Sequence, residues 1–358
     1  MSHSGRVRLT LTAAIVASLV VSAGTAYTQS DAKPVNDLPN PYQTVEGWAK
    51  MPEGRTWGAT SAVEIDPDGK SVWVAERCGG NSCAGSNLPA VLKFDETGKL
   101  VKSFGAGMFA FPHGIHVDRQ GNVWVTDGVP PGAASQPAAA GKSHIVVKFS
   151  PEGKVLLTLG KMGVAGDGQD TFNQPSDVIT APNGDIFVGD GHGGNTNARI
   201  VKFDKNGKFI KAWGSKGNGP GQFNLVHGID IDRNRRIYVA DRANSRIQVF
   251  DEEGKFLDMW PNIRAPYHIM ITADQFAWVL DGTTNRFFKY DLNGKLLSAW
   301  GVYGYFPGGL WGPHQFSVDS DGNVYVAESW SGRSQKFSPK PGADRSKLIN
   351  APVPLMSN

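Results

Sequence analysis

Residues 112–127 read Pro112-His113-Gly114-Ile115-His116-Val117-Asp118-Arg119-Gln120-Gly121-Asn122-Val123-Trp124-Val125-Thr126-Asp127. An apolar strand ends at Asp118, a D-x-x-G turn reverses the chain, and a second strand of β-branched and aromatic residues ends at Asp127. Short runs of this kind joined by Asp-Gly or Asn-Gly turns predict antiparallel meanders and not helices.

The same unit returns along the chain, which makes the repeat the first property to establish. First strands are predicted at 61–66, 113–118, 177–182, 227–232, 268–273 and 314–319, so six copies are visible. Second strands follow at Val72–Glu76, Val123–Asp127, Ile186–Asp190, Ile237–Asp241, Phe276–Asp281 and Val324–Glu328. A third strand such as Ile200–Asp204 and an outer strand often ending in Trp-Gly complete each unit. Four-stranded sheets repeated radially predict an all-β fold, a six-bladed β-propeller.

The sixth copy runs into a Pro-rich stretch at 339–354 after three strands. Its fourth strand is expected from Tyr42–Trp48, which resembles the outer strands Phe209–Gly214 and Leu296–Gly301. Pairing this segment onto the last blade would cover an exposed edge.

Three histidines occupy equivalent places: Pro112-His113-Gly114, Val226-His227-Gly228 and Pro313-His314-Gln315. They fall on alternate repeats, which in a ring of six places them threefold about the axis. Taken singly, each would read as a hydrogen-bonded or incidental channel residue. In register, three imidazoles converge on one point and leave a fourth position open on a zinc ion. The remaining blades are expected to present Ser61, Asp177 and His268 at this level, His268 being a candidate fourth ligand or substrate contact. His116 and His144 are read as structural.

Composition agrees with this fold: 44 glycines and 22 prolines in 358 residues suit a turn-rich all-β chain. The formal net charge is +3, and no basic tract outside the N-terminus points to nucleic acid. Residues 1–29 read as a secretory signal, with Arg6 and Arg8 ahead of an apolar run from Leu9 to Val21 and a small-residue exit at Ser22–Ala26. That run is shorter than the ~20 residues a membrane span requires. A secreted or periplasmic protein without a membrane span after cleavage, and a monomer, is expected. The organisation predicted is signal 1–29, N-terminal segment with closing strand 30–60, propeller 61–340 and C-terminal tail 341–358. Cys78 and Cys83, separated by four residues, read as a local disulfide in such a compartment. The insertion Gly128–Gly141, rich in Pro, Ala and Gly, is expected to lie in solvent.

Phe111-Pro112-His113-Gly114-Ile115 with Gly121–Asp127, Gln174–Val178 with Val188–Gly191, and Gly221–His227 with Val239–Arg242 resemble the peptidylglycine α-amidating lyases, over roughly residues 60–340. That family consists of six-bladed propellers of the NHL-repeat type, which split a peptidyl-α-hydroxyglycine into a peptide amide and glyoxylate using zinc held by three histidines. The resemblance implies zinc on His113, His227 and His314, and active-site arginines at Arg77 and Arg242. For Arg242 a plain ion pair with Asp241 or a neighbouring acid is the competing reading.

Two matched positions differ from the family. His192, in Asp190-Gly191-His192-Gly193, stands where the family has its catalytic tyrosine base; imidazole can also act as a base near neutral pH. Gln315 stands where the family has the aspartate of a structural calcium, whose main-chain ligands match Val63 and Ile115. A neutral amide can still offer an oxygen to calcium, but fewer carboxylates weaken such a site. The expected function is therefore an exported zinc lyase acting on a peptide or small-molecule α-hydroxyglycine, with calcium as a second candidate cofactor. The alternative is a non-catalytic propeller whose mouth binds a peptide, sugar or protein. A lactonase-like calcium propeller would want Glu, Asn and Asp at the channel in place of three histidines.

Overall fold

The computed structural model describes residue 1 and residues 40–130, 132, 139 and 141–352. The chain divides into Met1–Pro34 and Val35–Asn358, and the propeller lies wholly in the second unit. The signal segment and most of the 128–141 insertion lie outside the described residues.

Six four-stranded antiparallel sheets follow one another. Their inner strands are Thr60–Ile65, Phe111–Val117, Pro175–Thr180, Val226–Ile231, Pro266–Ile271 and Pro313–Val318, each within two residues of its predicted bounds. Each inner strand touches the next around the complete ring, the first meeting the sixth. Six apolar clusters fill the gaps between blades, one per gap; Trp124 and Val146 of blade 2, for example, pack on Val178 and Ile186 of blade 3. This is the chain reading of alternating strands expressed as packing: each sheet buries one face against each neighbour.

The ring closes as expected. Tyr42–Val45 pairs antiparallel with Arg333–Pro339, with Tyr42 opposite Pro339 and Val45 opposite Lys336. Tyr42 inserts between blades 5 and 6, and Trp48 between blades 6 and 1, so the closing segment is anchored on both sides. The Tyr42 hydroxyl also accepts a hydrogen bond from the Ile349 N–H at 2.7 Å. Residues 341–352, the described part of the segment expected as a tail, thus dock on the propeller: Ile349 is buried, and Ala273 N–H donates to the Ala351 carbonyl at 2.8 Å.

One device recurs in every blade and positions the site. The acid ending each second strand accepts a main-chain N–H in the loop just before the inner strand. Glu76 takes Gly58, Asp127 takes Ala110 and Phe111, Asp190 takes Asn173, Asp241 takes Asn224, Asp281 takes Ala265 and Glu328 takes Trp311. All six acids are fully buried. Buried carboxylates persist only when their oxygens are satisfied, so each holds the entrance to its inner strand in a fixed place.

Candidate metal centre

Each inner strand carries a bulge at its second or third residue: the ladder steps from Pro112 to Ile115, from Val226 to Gly228 and from Pro313 to Gln315. A bulge releases a residue from pairing and re-aims its side chain. His113, His227 and His314 are the residues so released, and all three are buried. Their ring centroids lie 4.6–4.9 Å apart.

The blades between them supply the supports. His113 Nδ1 lies 2.7 Å from the Ser176 carbonyl oxygen, His227 Nδ1 2.6 Å from that of Tyr267, and His314 Nδ1 2.6 Å from that of Ser61. A carbonyl can only accept, so each Nδ1 carries the proton and each Nε2 keeps its lone pair. This is the arrangement by which main-chain carbonyls orient metal-binding imidazoles. Gly114 and Gly228 make the approach possible, since a Cβ on either would sit 2.7 Å from the Ser176 oxygen or 2.9 Å from the Tyr267 oxygen.

The same bulges correct the predicted level of the odd blades. The residues in register with the histidines are Ser61, Ser176 and Tyr267, so Asp177 and His268 are each one residue too late. The ladder skips Ser176 and Tyr267 at their bulges, and a count that assumes unbroken alternation shifts by one. Asp177 instead accepts the Ile229 N–H of blade 4 at 2.9 Å. It and His268 line a separate cavity of about 590 Å³ together with Glu64 and Asp230. His268 is not a ligand of the cluster.

His192 joins the three. Its ring centroid is 4.1 Å from that of His113 and 5.1 Å from that of His227, and ligand-capable atoms of all four histidines lie within 4.8 Å of one another. It sits just past the second strand of blade 3, where the N–H groups of Gly191 and His192 both donate to the Gln174 carbonyl at 3.0 Å. Gly191 has φ 133°, and a Cβ there would fall 1.7 Å from the Asn197 oxygen, so only glycine turns the chain here. Nε2 of His113, His192 and His227 is buried without a hydrogen-bond partner. Burial above all, then the nearby arginines, holds His113 down to about 3. Burial likewise keeps His192, His227 and His314 well below the usual imidazole range. Four neutral nitrogens facing one another, several of them unsatisfied, fit a divalent transition metal such as zinc.

Both arginines border the cluster. Arg77 is buried; its Nε donates to the Pro112 carbonyl at 3.2 Å, its Nη1 to Asn81 Oδ1 at 2.8 Å, and its guanidinium lies 3.5 Å over the Phe111 ring. Desolvation pushes it down to about 9, leaving it charged at neutral pH. The disulfide Cys78–Cys83, with Cα atoms 5.1 Å apart, closes the adjoining loop. Arg242 lies 4.6 Å over the Tyr267 ring. It does not pair with Asp241, whose Oδ2 is taken by Arg246 Nε at 2.7 Å. His116 bonds Thr180 Oγ1 at 2.8 Å and His144 Nδ1 accepts the Gln174 N–H at 3.1 Å, both as structural groups. Gln315 donates from Nε2 to the Ile115 carbonyl at 3.0 Å.

Sequence reasoning missed Ser61, Ser176 and Tyr267 as supports, because their contribution is a carbonyl that every residue possesses. It assigned His192 a proton-transfer role without placing it within ligand reach of the other three.

A family model described as a 6-bladed beta-propeller matches residues 172–262. Over 202 residues the chain is 32% identical to NHL repeat-containing protein 3 of Mus musculus, spanning 55% of this chain and 53% of that protein. It is 32% identical over 271 residues to peptidyl-glycine alpha-amidating monooxygenase B of Xenopus laevis, spanning 70% of this chain and 29% of that one. The chain therefore spans about half or less of these curated relatives. A streptogramin B lyase structure shares the fold, with a TM-score of 0.53 at 13% identity over 84% of this chain and 98% of that one. The chain is a six-bladed β-propeller with a histidine cluster at its axis. Its homologues are NHL-repeat proteins and peptidylglycine amidating lyases, at 30–38% identity.

Proposed function

We propose that this protein is an exported zinc-dependent lyase that cleaves the N–C bond of an α-hydroxyglycine, or a closely similar α-hydroxy amide, to an amide and glyoxylate. The observation that carries the reading is the set of three imidazoles whose Nδ1 atoms face main-chain carbonyls and whose Nε2 atoms converge. His113, His227 and His314 would hold the zinc, which supplies a Lewis acid for the substrate hydroxyl oxygen.

The chain's own residues do the rest. Arg77 has Nε and Nη1 engaged by Pro112 and Asn81, which fixes the guanidinium plane and leaves Nη2 to grip the substrate carboxylate. Arg242, stacked on Tyr267 and free of Asp241, is the second cation at this mouth. His192, neutral and unpartnered at Nε2, takes the hydroxyl proton as the C–O bond becomes a carbonyl. The N–C bond breaks with its electron pair going to nitrogen, and the same imidazole returns the proton there. The disulfide supports export to an oxidising compartment. Calcium is a poorer fit: Gln315 presents a donor to the Ile115 carbonyl, which a cation would need as a ligand.

The test is release of glyoxylate from an α-hydroxyglycine-ended peptide by the zinc-loaded protein. Alanine at His113, His227 or His314 should strip zinc by elemental analysis. His192→Ala should lose about 10²–10⁴ in rate, the usual contribution of a general base. Zinc bound by the wild type without glyoxylate release overturns the lyase reading. A wild type that neither binds zinc nor turns over leaves the propeller as a binding module for a peptide, sugar or protein.

A further inference from the structure

In the lyase reading His192 is a base, yet it stands within ligand reach of the three metal-facing histidines. Its ring is nearer to His113, at 4.1 Å, than His227 or His314 is, at 4.9 and 4.6 Å. Its Nε2 is buried and unpartnered, as are those of His113 and His227. Its ligand-capable nitrogen lies within 4.8 Å of those of His113, His227 and His314.

The backbone beneath it is fixed. Gln174, with φ 66°, turns its carbonyl to accept both the Gly191 and the His192 N–H, and the Gly193 N–H donates to Thr196 Oγ1 at 2.9 Å. Such anchoring, at a strand end and not on a free loop, is what a ligand position requires. Among the described residues no carboxylate belongs to the cluster, so the donor set is four neutral nitrogens, suited to zinc, copper, iron or nickel and not to calcium or magnesium.

We propose that His192 is a fourth imidazole ligand, which closes the coordination of the bound metal when no substrate is present. This rests on the metal part of the reading above and not on the lyase part. It distinguishes this chain from a site with a permanently open position, because a four-imidazole set must release one arm before a substrate oxygen can enter. The arm to leave is His192: it alone of the four has no main-chain carbonyl holding its Nδ1 among the described residues, whereas the other three are pinned.

The experiment uses the full chain loaded with zinc alone and with cobalt(II) alone. X-ray absorption on the wild type should report four imidazole nitrogens at ~2.0–2.1 Å around zinc. His192→Ala and His192→Tyr should report three, with an oxygen in the vacated place and an altered visible spectrum for cobalt. Zinc affinity, from competition with a chromophoric chelator, should fall at least about tenfold in His192→Ala, since even changes behind the ligands cost that much. The melting temperature of the metal-free forms checks that each variant folds, and His192→Tyr serves if the alanine does not. Three imidazoles in the wild type, or equal zinc affinity in wild type and a folded variant, overturns the inference, as does failure of the wild type to take up either metal. Glyoxylate release on the same samples separates the two proposals. Four imidazoles without turnover sinks only the lyase, and three imidazoles with turnover sinks only the fourth ligand.

Discussion

His314 Nδ1 lies 2.6 Å from the carbonyl oxygen of Ser61, a contact between the last blade and the first. It exists only in the closed ring, so the third arm of the cluster depends on closure. The other two arms, on Ser176 and Tyr267, form within runs of consecutive blades. The histidine cluster and the seam of the propeller are therefore mechanically linked.

Tyr42 tests that link. It is 1% exposed, packs on Trp300 at 5.1 Å and hydrogen-bonds the Ile349 N–H. Tyr42→Ala should cost about 3–5 kcal/mol, the usual loss for a large buried aromatic. Tyr42→Phe should cost about 1–3 kcal/mol through the orphaned N–H. Urea midpoints measure both, and zinc affinity should fall alongside in the alanine variant. A cost in the alanine variant below that of the phenylalanine variant would refute the seam argument.

Arg77 makes directional contacts that lysine cannot reproduce. In Arg77→Lys the charge stays while the bonds to Pro112 and Asn81 are lost. Zinc content should be unchanged, and inhibition by glyoxylate should weaken about 10–100-fold, the range of one or two hydrogen bonds to a charged group. Unchanged inhibition would remove Arg77 from the site.

Gln315 Nε2 donates to the Ile115 carbonyl at 3.0 Å, so wild-type stability should move little between calcium and a chelator. Gln315→Asp restores an anionic oxygen beside the Ile115 carbonyl. Its melting temperature should become calcium-dependent, gaining about 2.7 kcal/mol at a hundredfold excess over the dissociation constant. A wild type as calcium-dependent as the variant would show that the amide rotates to present its oxygen.

His268 carries a pH dependence of stability. Burial holds it down to about 3 in the fold, against an ordinary value of 6.5. The unfolded chain then binds the extra proton first, so this contribution is complete above pH 6.5 and is lost as pH falls from 6.5 toward 3. At pH 5 the loss amounts to about 2 kcal/mol, each pH unit being worth about 1.4. Unfolding measured at pH 7 and pH 5 in metal-free wild type and His268→Gln should show a smaller acid loss in the variant. Equal losses in the two would mean that His268 already titrates normally in the fold.

The repeat, its six copies, the closing strand and the three histidines on alternate blades were all legible in the chain. Period-two patterning and turn residues are local properties, and the equivalence of His113, His227 and His314 needs only a count of repeats. The bulges were not legible, since an extra residue in a ladder leaves no mark on composition; hence the one-residue error at Asp177 and His268, where Ser176 and Tyr267 stand. Nor could sequence reveal that the odd blades contribute carbonyls, because a main-chain oxygen is the same in every residue and only its position distinguishes it. The grouping of His192 with the other imidazoles was likewise decided in three dimensions. A single turn at Gly191, anchored on Gln174, carries that ring to the axis, and no spacing along the chain encodes the distance between side chains on different blades.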